Sequence, residues 1–423
     1  MPLISTIGRK SLPVRLLIGS IYTVLLIGGV TMVYPLLLMI SGSVKGKLDA
    51  ESIDVVPRFL RDDRVFFQRY IESKYGESLA TLNTAWATDL LRFDQVEPPA
   101  PVSAKLLDDF DEFRRTTPMP SIWKGLGHSA PPGRNLRAFR REIHEQAGGD
   151  LARAGEILDM SLISWAEVAP RGFAGGRGML TPTKAIERTD EFKERCRIED
   201  LILGNAEGNW KSTTLQLNYG QKIEKYRQLT GLNVASWDDV HLTTTVPLTT
   251  NAAVRADWEN YVRLKAGLAA LRVDDSAAPA FHAYLRQTYD GNLKRLNLSY
   301  GTQYASFDEV PVSPQQSFTG SGFVDFNRFI RDKVPAESLS LDGPLFRYRD
   351  FLQAKFHSDI AAARSAYGVA WRSFDDVSMP VAAMDWRDFQ NQKPELRREF
   401  LVRNYDYVLD FLARHGRARK SST

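Results

Sequence analysis

One short segment recurs five times along the chain: an aromatic residue, two mostly polar residues and a valine. The valines lie 67 to 72 residues apart, and an aromatic residue or an alanine stands 21 residues before each one. Chance matches would not keep this interval through five copies, so the pattern predicts a repeated structural unit. The copies end near Val96, Val168, Val240, Val310 and Val377, and the positions 21 residues earlier are Tyr75, Ala147, Tyr219, Tyr289 and Phe356.

Apolar residues inside each copy have helical spacing. Residues four and eight before the tyrosine position are apolar in most copies, as in Ile71 and Phe67, and this places them on one helix face. A second apolar stripe follows, as in Leu79, Leu82 and Trp86. Glycines mark the turns after the stripes: Gly76, Gly148, Gly220, Gly291, Gly231, Gly301 and Gly368. Each copy is therefore predicted to be a helical hairpin, which must stack on neighbours to bury its apolar face.

The segments between the hairpins predict a further short helix and loops. Aromatic pairs of helical spacing follow three copies: Trp258 with Tyr261, Phe326 with Phe329, and Trp386 with Phe389. Stretches of about residues 100–135, 170–190 and 311–323 are richer in Gly, Pro and Ser, which is typical of loops. Period-two alternation is scarce, so we expect few strands. The predicted fold class is mainly α.

An uncharged apolar run covers residues 16–40, long enough to cross a bilayer as one helix. Arg9, Lys10 and Arg15 precede it, so the positive-inside rule predicts a cytoplasmic N-terminus, residues 1–15. Residues 46–400 are then an extracytoplasmic helical repeat domain, and the expected location is the plasma (inner) membrane. The alternative is a cleaved signal peptide with a small-residue cleavage site at residues 41–43, although the apolar run is longer than usual for one.

Composition and motifs exclude several classes of function. The formal net charge is only +4 and basic residues are interleaved with acidic ones, which argues against nucleic-acid binding. One cysteine, Cys196, cannot form an internal disulfide framework. The six histidines are scattered, so we expect no metal site and no cofactor. The acidic pairs at residues 238–239 and 375–376 lack calcium-loop spacing and are better explained as helix caps or Asx turns. No catalytic constellation is present, so no enzyme activity is expected and no catalytic or binding residue is assigned.

Two resemblances to known families bear on function, and the first lies in the repeat. The repeat, clearest at Lys74-Tyr75-Gly76 with residues 82–86 and again at residues 296–302, resembles a helical segment of beta-galactosidase-type glycoside hydrolases. It covers some thirty residues per copy, and the Asn-Glu acid/base pair of those enzymes has no counterpart here. The resemblance implies a shared helical module with a carbohydrate context, and not catalysis.

The second resemblance concerns the two ends of the chain. Residues 34–45 (YPLLLMISGSVK) resemble the end of the first membrane helix of carbohydrate-type ABC importer permeases. Residues 404–409 (NYDYVL) with Gly416-Arg417-Ala418 resemble the element that precedes their second membrane helix. On this interpretation residues 46–400 are a large insertion in the first external loop, and residues 401–423 stop before a missing second membrane helix.

These resemblances imply a membrane-embedded permease component of an ABC sugar importer, truncated or split. Its implied partners are the lipid bilayer, a second permease subunit, a separate ATPase and an extracytoplasmic solute-binding protein. The external repeats would contact that binding protein or a glycan. The first alternative is a single-anchor extracytoplasmic glycan-binding or scaffolding protein, favoured by the missing helices. The second alternative is a tethered glycoside hydrolase.

Overall fold

The computed structural model describes residues 12–45, 48, 53–130, 133–172, 183–312 and 320–420, with the side chains of residues 402–420 left out. This part of the chain is mainly helical with short strands, as predicted. The described residues fall into two compact units, one made of those within 1–70 and 392–423 and the other of those within 71–391. The predicted start of the extracytoplasmic domain at residue 46 and the predicted start of the permease-like element at residue 401 stay predictions.

The helices and strands follow one another in a regular order. The helices are α1 (Leu12–Val44), α2 (Asp63–Lys74), α3 (Leu79–Trp86), α4 (Ala104–Thr116), α5 (Arg134–Gln146), α6 (Leu151–Leu158), α7 (Thr183–Lys193), α8 (Ala206–Trp210), α9 (Gln216–Tyr219), α10 (Glu224–Thr230), α11 (Ala252–Leu264), α12 (Ala278–Thr288), α13 (Leu293–Tyr300), α14 (Gly320–Asp332), α15 (Pro344–Lys355), α16 (Ile360–Tyr367) and α17 (Val381–Lys420). The strands are β1 (Lys124–Leu126), β2 (Leu201–Leu203), β3 (Leu271–Val273) and β4 (Leu339–Leu341). A π-helical turn, Lys211–Leu215, joins α8 to α9.

A common order of elements surrounds each of the valines named above. A longer helix, a shorter helix and a 3-10 turn precede the valine, and another helix follows it. Before Val240 the longer helix is the continuous run of α8, the π-helical turn and α9, and the shorter one is α10. We call the first two helices a hairpin and the following one its third helix. The third helices are α4, α7, α11, α14 and α17. The five valines are all buried, so the residue that ends each 3-10 turn packs into the interior.

In the first unit, α1 is the element that matches the predicted membrane helix. Residues Val14–Gly42 are apolar enough and long enough to cross a bilayer, and the rest of the chain buries no residue of the apolar 18-residue stretch that meets this criterion. A signal sequence near an N-terminus can meet the same criterion of length and composition. The hydroxyl of Ser41 donates to the backbone oxygen of Asp54 at 2.7 Å, which ties the end of the helix to the segment that follows.

The rest of the first unit is organised around an aromatic cluster. The rings of Phe59 and Phe66 lie 6.2 and 5.9 Å from the ring of Phe400. The Arg69 guanidinium lies 4.3 Å from the Phe59 ring centre and 4.9 Å from that of Phe400, so two cation–π contacts hold a buried cation there.

In the second unit, the hairpin turns use the glycines that the sequence singled out. Gly76 and Gly231, for example, have φ of +62° and +67°, which side chains with a Cβ adopt only with strain. The shorter helices of four hairpins begin with a side-chain cap on the backbone: Ser78, Asp150, Asn292 and Asp359. Such caps satisfy N–H groups that have no partner inside the helix.

The prediction of loops between the hairpins is wrong in part for all three segments. α4 lies inside residues 100–135, the first residues of α7 lie inside residues 170–190, and the first residues of α14 lie inside residues 311–323. The Gly and Pro content averaged over the whole stretch concealed the helical spacing of Leu106, Phe110 and Phe113, which are buried. Residues 173–182 and 313–319, also predicted as loops, lie outside the described residues.

The short strands pair as antiparallel couples. In the first couple Lys124 faces Leu203 and Leu126 faces Leu201; in the second, Leu271 faces Leu341. Each strand follows a third helix and a 3-10 turn, and the first residue of one strand meets the last residue of its equivalent. Equivalent segments therefore meet in a locally two-fold arrangement.

Candidate functional site

A cavity of about 670 Å³ opens between two loops of the second unit, residues 233–241 and 370–378. We call it the loop cavity. Its described lining is mostly polar: Arg227, Asn233, Val234, Ala235, Asp238, Asp239, His241, Ala370, Trp371, Arg372, Asp376 and Ser378. It includes three of the four carboxylates in the acidic pairs at residues 238–239 and 375–376.

The two walls of the loop cavity come from equivalent positions. Five positions of the lining are counted from Val240, and five others have the same offsets from Val377. The offsets are seven, six, five and one residue before the valine and one residue after it. The matched pairs are Asn233 with Ala370, Val234 with Trp371, Ala235 with Arg372, Asp239 with Asp376, and His241 with Ser378. The positions are equivalent but the residues differ, so the two walls offer different chemistry.

Two of the three carboxylates are committed to the fold. Asp239 Oδ2 accepts from the backbone N–H of Ala235 at 2.7 Å and of Ser236 at 3.1 Å, and these bonds lower the pKa of Asp239. Asp376 Oδ2 accepts from the N–H of Arg372 at 2.7 Å. Burial would raise the pKa of Asp376, but the bonds from Arg372 outweigh it and lower that pKa. Both act as caps, which is the role expected of the acidic pairs.

Asp238 and Trp371 each present a group to the loop cavity that could contact a ligand. The Asp238 side chain is exposed, and its local hydrogen bond is made by its backbone N–H to the hydroxyl of Ser236. Trp371 is half-buried and lies edge-on to Tyr367, with 5.8 Å between ring centres. A carboxylate acceptor and an indole face are therefore available at opposite walls.

A buried ionic cluster lies behind the loop cavity. Glu207 is 2 % exposed, and its carboxylate lies 3.0 Å from Lys211 Nζ and 3.2 Å from Arg349 Nη2. The Leu242 N–H also donates to Glu207 at 3.0 Å. Burial alone would raise the pKa of Glu207, but Lys211, His241 and Arg349 together lower it to about 2. The carboxylate is thus a fixed buried anion between two cations.

Arg349 ties this cluster to both loops. Its Nε donates to the backbone oxygen of Val377 at 2.9 Å, and its Nη1 donates to that of Leu242 at 2.6 Å. Arg140 and His282 stand at the equivalent helix position and reach the oxygens of Val168 and Val310, both at 2.8 Å. In copy three the equivalent position is Ser212, and the guanidinium of Arg349 reaches the oxygen of Leu242, two residues after Val240. The position of the loops therefore depends on Arg349.

Two lining residues connect the loop cavity to the ionic cluster. His241 Nδ1 lies 3.5 Å from Glu207 Oε1, and the Ser378 hydroxyl donates to the same oxygen at 3.3 Å. These are the residues immediately after the two valines. A ligand that displaces His241 or Ser378 would therefore alter a direct contact of the Glu207 carboxylate.

The other residues considered in the sequence lie elsewhere. His128 bonds Ser73, His144 packs on Trp165, and His282 bonds Val310. Cys196 is a half-buried free thiol, and burial raises its pKa to about 11, which keeps it protonated and unreactive at neutral pH. Throughout the described ranges no group of three or more His, Cys, Asp or Glu residues is placed to hold a metal ion.

One recurring element was missed from the sequence. Four third helices carry a buried aspartate directly before the first residue of an aromatic pair, and each accepts a hydrogen bond from a hairpin tyrosine. The pairs are Tyr75 with Asp385 (2.6 Å), Tyr219 with Asp257 (2.7 Å), Tyr289 with Asp325 (2.7 Å) and Tyr367 with Asp109 (2.6 Å). The signal was Asp-aromatic-x-x-aromatic. Tyr75, Tyr219 and Tyr289 stand 21 residues before their valines, whereas Tyr367 stands 10 residues before Val377, because the earlier position is Phe356. The second copy has Ala147 and Leu158 at these two positions and Arg188 in place of the aspartate.

Comparison with known proteins identifies no relative. A scan against models of protein families, a search of curated proteins and a search of solved structures each found no match to this chain.

Proposed function

We propose that this protein is a single-anchor membrane protein whose helical domain binds a glycan in the loop cavity. The observation that carries the proposal is the lining itself, in which an indole, an exposed carboxylate, an amide and two guanidinium groups converge on one space. Planar polar groups can bond neighbouring hydroxyls, and an indole packs on the apolar face of a sugar ring.

The proposed role is binding rather than hydrolysis. Glycoside hydrolysis requires two carboxyl groups that are available to the substrate on either side of the scissile bond. In the loop cavity Asp239 and Asp376 are engaged by backbone N–H groups, which leaves Asp238. This supports the glycan-binding alternative over the tethered hydrolase.

The proposed topology has α1 in the plasma (inner) membrane, the N-terminus in the cytoplasm and the repeats outside. The basic residues before α1 support this orientation. We also propose that the hairpins and third helices are five copies of one unit, supported by the common order of elements around the five valines.

The ABC-permease interpretation stays a prediction, with its second subunit, ATPase and solute-binding protein. Residues 34–44 lie at the end of α1, and residues 404–418 lie within α17. Over the described ranges one helix, α1, is a candidate membrane span.

The test is a binding measurement on the full chain in detergent, first on an oligosaccharide array and then by calorimetry with the best binder. Trp371→Ala and Asp238→Ala should each weaken binding about tenfold, the usual cost of losing one buried stacking or charged hydrogen-bonding contact.

Two matched variants serve as controls. Asp375 has the same offset from its valine as Asp238, with the same backbone bond to a serine hydroxyl, but it does not line the loop cavity. Trp165 is half-buried at another copy. Asp375→Ala and Trp165→Ala should bind as the unchanged protein does. A chain that binds no glycan, or equal losses in all four variants, would overturn the proposal.

A further inference from the structure

A second cavity, of about 230 Å³, lies in the same unit and is separate from the loop cavity in its lining. It is bounded by the end of α2, the start of α3, strands β1 and β2, and α7. We call it the basic cavity. Its lining is Lys74, Tyr75, Gly76, Ser78, Thr81, Gly125, Leu126, Ser129, Ala130, Pro170, Arg171, Gly172, Thr189, Lys193 and Ile202. The Lys74-Tyr75-Gly76 segment noted in the sequence thus forms part of a wall.

The charge of this lining has one sign. Lys74, Arg171 and Lys193 contribute cations, and among the described lining residues there is no carboxylate. The volume is that of about eight liquid waters, enough for a tetrahedral oxyanion and a small substituent. Asp385 and Asp190 pair with the two lysines from outside the lining, so the net positive charge facing the cavity comes from Arg171.

The two lysines are held in place by carboxylates that lie behind the wall. Lys74 Nζ is 2.6 Å from Asp385, and Lys193 Nζ is 2.9 Å from Asp190. Both lysine side chains are 2 % exposed. Burial lowers the pKa of Lys193, with Asp190 opposing the shift, so an added anion would favour its charged form.

Hydroxyl and backbone groups add donors to the wall. The Ser78 oxygen accepts from the Thr81 N–H at 3.2 Å and from the Thr81 hydroxyl at 3.0 Å, which leaves the Ser78 hydrogen to be donated elsewhere. The N–H of Arg171 donates to Thr189 at 2.8 Å and fixes this residue at the rim. The Arg171 side chain is exposed there.

We propose that the basic cavity binds a tetrahedral oxyanion, phosphate or sulfate, either as the free ion or as a monoester. Arg171 supplies charge-assisted hydrogen bonds and Ser78 supplies a neutral one. Lys193 Nζ donates to the Ser121 backbone oxygen at 3.3 Å and to its hydroxyl oxygen at 3.5 Å, and it exchanges these two long bonds for the anion. The site is independent of the loop cavity, so either proposal can fail without the other.

The experiment titrates the full chain in detergent with inorganic phosphate, inorganic sulfate and glucose 6-phosphate by calorimetry. Sodium chloride at matched ionic strength measures the non-specific response, because exposed charges alone would respond to both. Tighter binding of glucose 6-phosphate than of phosphate identifies the monoester form, and equal or weaker binding identifies the free ion; both support the site.

Two variants locate the binding. Lys193→Met should weaken phosphate binding about tenfold. Arg171→Ala, at an exposed position where folding is not at risk, should weaken it roughly two- to fivefold. Arg153, exposed on α6 and outside the lining, is the control, and Arg153→Ala should bind normally. Heat from phosphate no larger than that from chloride, or an Arg171→Ala variant that binds phosphate as the unchanged protein does, would overturn the proposal.

Discussion

The Tyr75 hydroxyl donates a 2.6 Å hydrogen bond to Asp385, although 310 residues separate them in the chain. Asp385 also accepts from Lys74 Nζ at 2.6 Å and from Trp86 Nε1 at 2.8 Å. In the third and fourth hairpins the corresponding tyrosine bonds the third helix that follows the same hairpin. The tyrosine of the first hairpin instead bonds the start of α17, the last helix of the chain.

The exchange is mutual between the first and the last hairpin. Tyr367 of the last hairpin donates to Asp109 of α4 at 2.6 Å. The aspartate that the last hairpin bonds therefore lies on α4, and the one that the first hairpin bonds lies on α17. Contacts this distant in sequence incur the loop-closure entropy of the whole intervening chain, and they tie the two ends of the second unit together. This relationship makes Asp385 a critical point for stability.

Asp385→Ala should lower the free energy of unfolding by about 3–5 kcal/mol, because it removes the carboxylate between a buried ammonium and a buried hydroxyl. Chemical denaturation of the full chain in detergent measures the change. Tyr75→Phe removes one hydrogen bond and should lower it by about 1 kcal/mol. Asp375→Ala, at an exposed site, should have almost no effect. A loss in Asp385→Ala no greater than that in Asp375→Ala would contradict the role given to this contact.

Glu207 predicts a specific pH dependence. Its folded pKa is about 2 against an ordinary value of 4.5, so its stabilising contribution is complete above about pH 4.5 and is lost as pH falls towards 2. The linked free energy is on the order of 3 kcal/mol. Glu207→Gln should be less stable at pH 7 and should lose less stability between pH 4.5 and 2.

The control for this pH dependence is Glu337→Gln. Glu337 is an exposed residue that pairs with Arg255 at the surface, and its replacement should leave the acid slope nearly unchanged. Denaturation midpoints across the pH range provide the comparison. An acid slope in Glu207→Gln equal to that of the unchanged protein would exclude the buried carboxylate as its source.

Gly208 marks a close approach of α8 to α3. A Cβ added there would lie 2.0 Å from the backbone oxygen of Thr84 and 3.2 Å from the Cα of Ala87. Gly208→Ala should therefore destabilise the protein by about 1–3 kcal/mol, the usual cost of overpacking. Gly322 is also helical, but its added Cβ would meet only the Tyr300 ring at 3.5 Å. Gly322→Ala should be stabilising by up to about 1 kcal/mol, and thermal melting of both variants should show shifts of opposite sign.

Asn297 closes the loop after α13 with its amide. Its Oδ1 accepts from the Tyr304 N–H at 2.9 Å and the Thr302 hydroxyl at 3.1 Å, while its Nδ2 donates to the Tyr304 oxygen at 2.9 Å. Asn297→Ala should cost about 1–3 kcal/mol and should speed hydrogen exchange at the Tyr304 amide. Asn83 makes the same set with Leu90 and Thr88, so Asn83→Ala should act alike at Leu90. Unchanged hydrogen exchange at both amides would contradict this role of the two asparagine side chains.

Helix α1 predicts retention in the membrane. The full chain should remain in the pellet after alkaline extraction, since burying this helix in hydrocarbon is strongly favourable, and a chain without residues 12–44 should be released. Intact mass is the decisive measurement for the signal-peptide alternative. A mature chain that begins near residue 44 would show cleavage and remove the anchor.

The orientation can be tested in the same cells. Leu248 is fully exposed, so Leu248→Cys in a Cys196→Ala background supplies one reactive thiol. A membrane-impermeant maleimide should label it in spheroplasts before lysis. Labelling only after lysis would place the helical domain in the cytoplasm.

Several local features followed from the sequence alone. The stripes through Ile71 and Phe67, the glycine turns and the buried valines could be predicted because each depends on residues within about one or two helical turns. The helix α4 was missed since its flanking prolines and glycines dominated the local composition, although Asp109-Phe110 with Phe113 repeats the pattern of the other third helices.

Only the tertiary structure decided which copies face each other. The spacing of the repeats is the same for every pairing, so it contains no information on whether α17 packs on the first hairpin or the last. The loop cavity, the Glu207 cluster and the exchange between Tyr75 and Tyr367 all join segments that are far apart in sequence. Such contacts are selected by the fit of whole packed surfaces and by the need to pair buried charges, which no local pattern records.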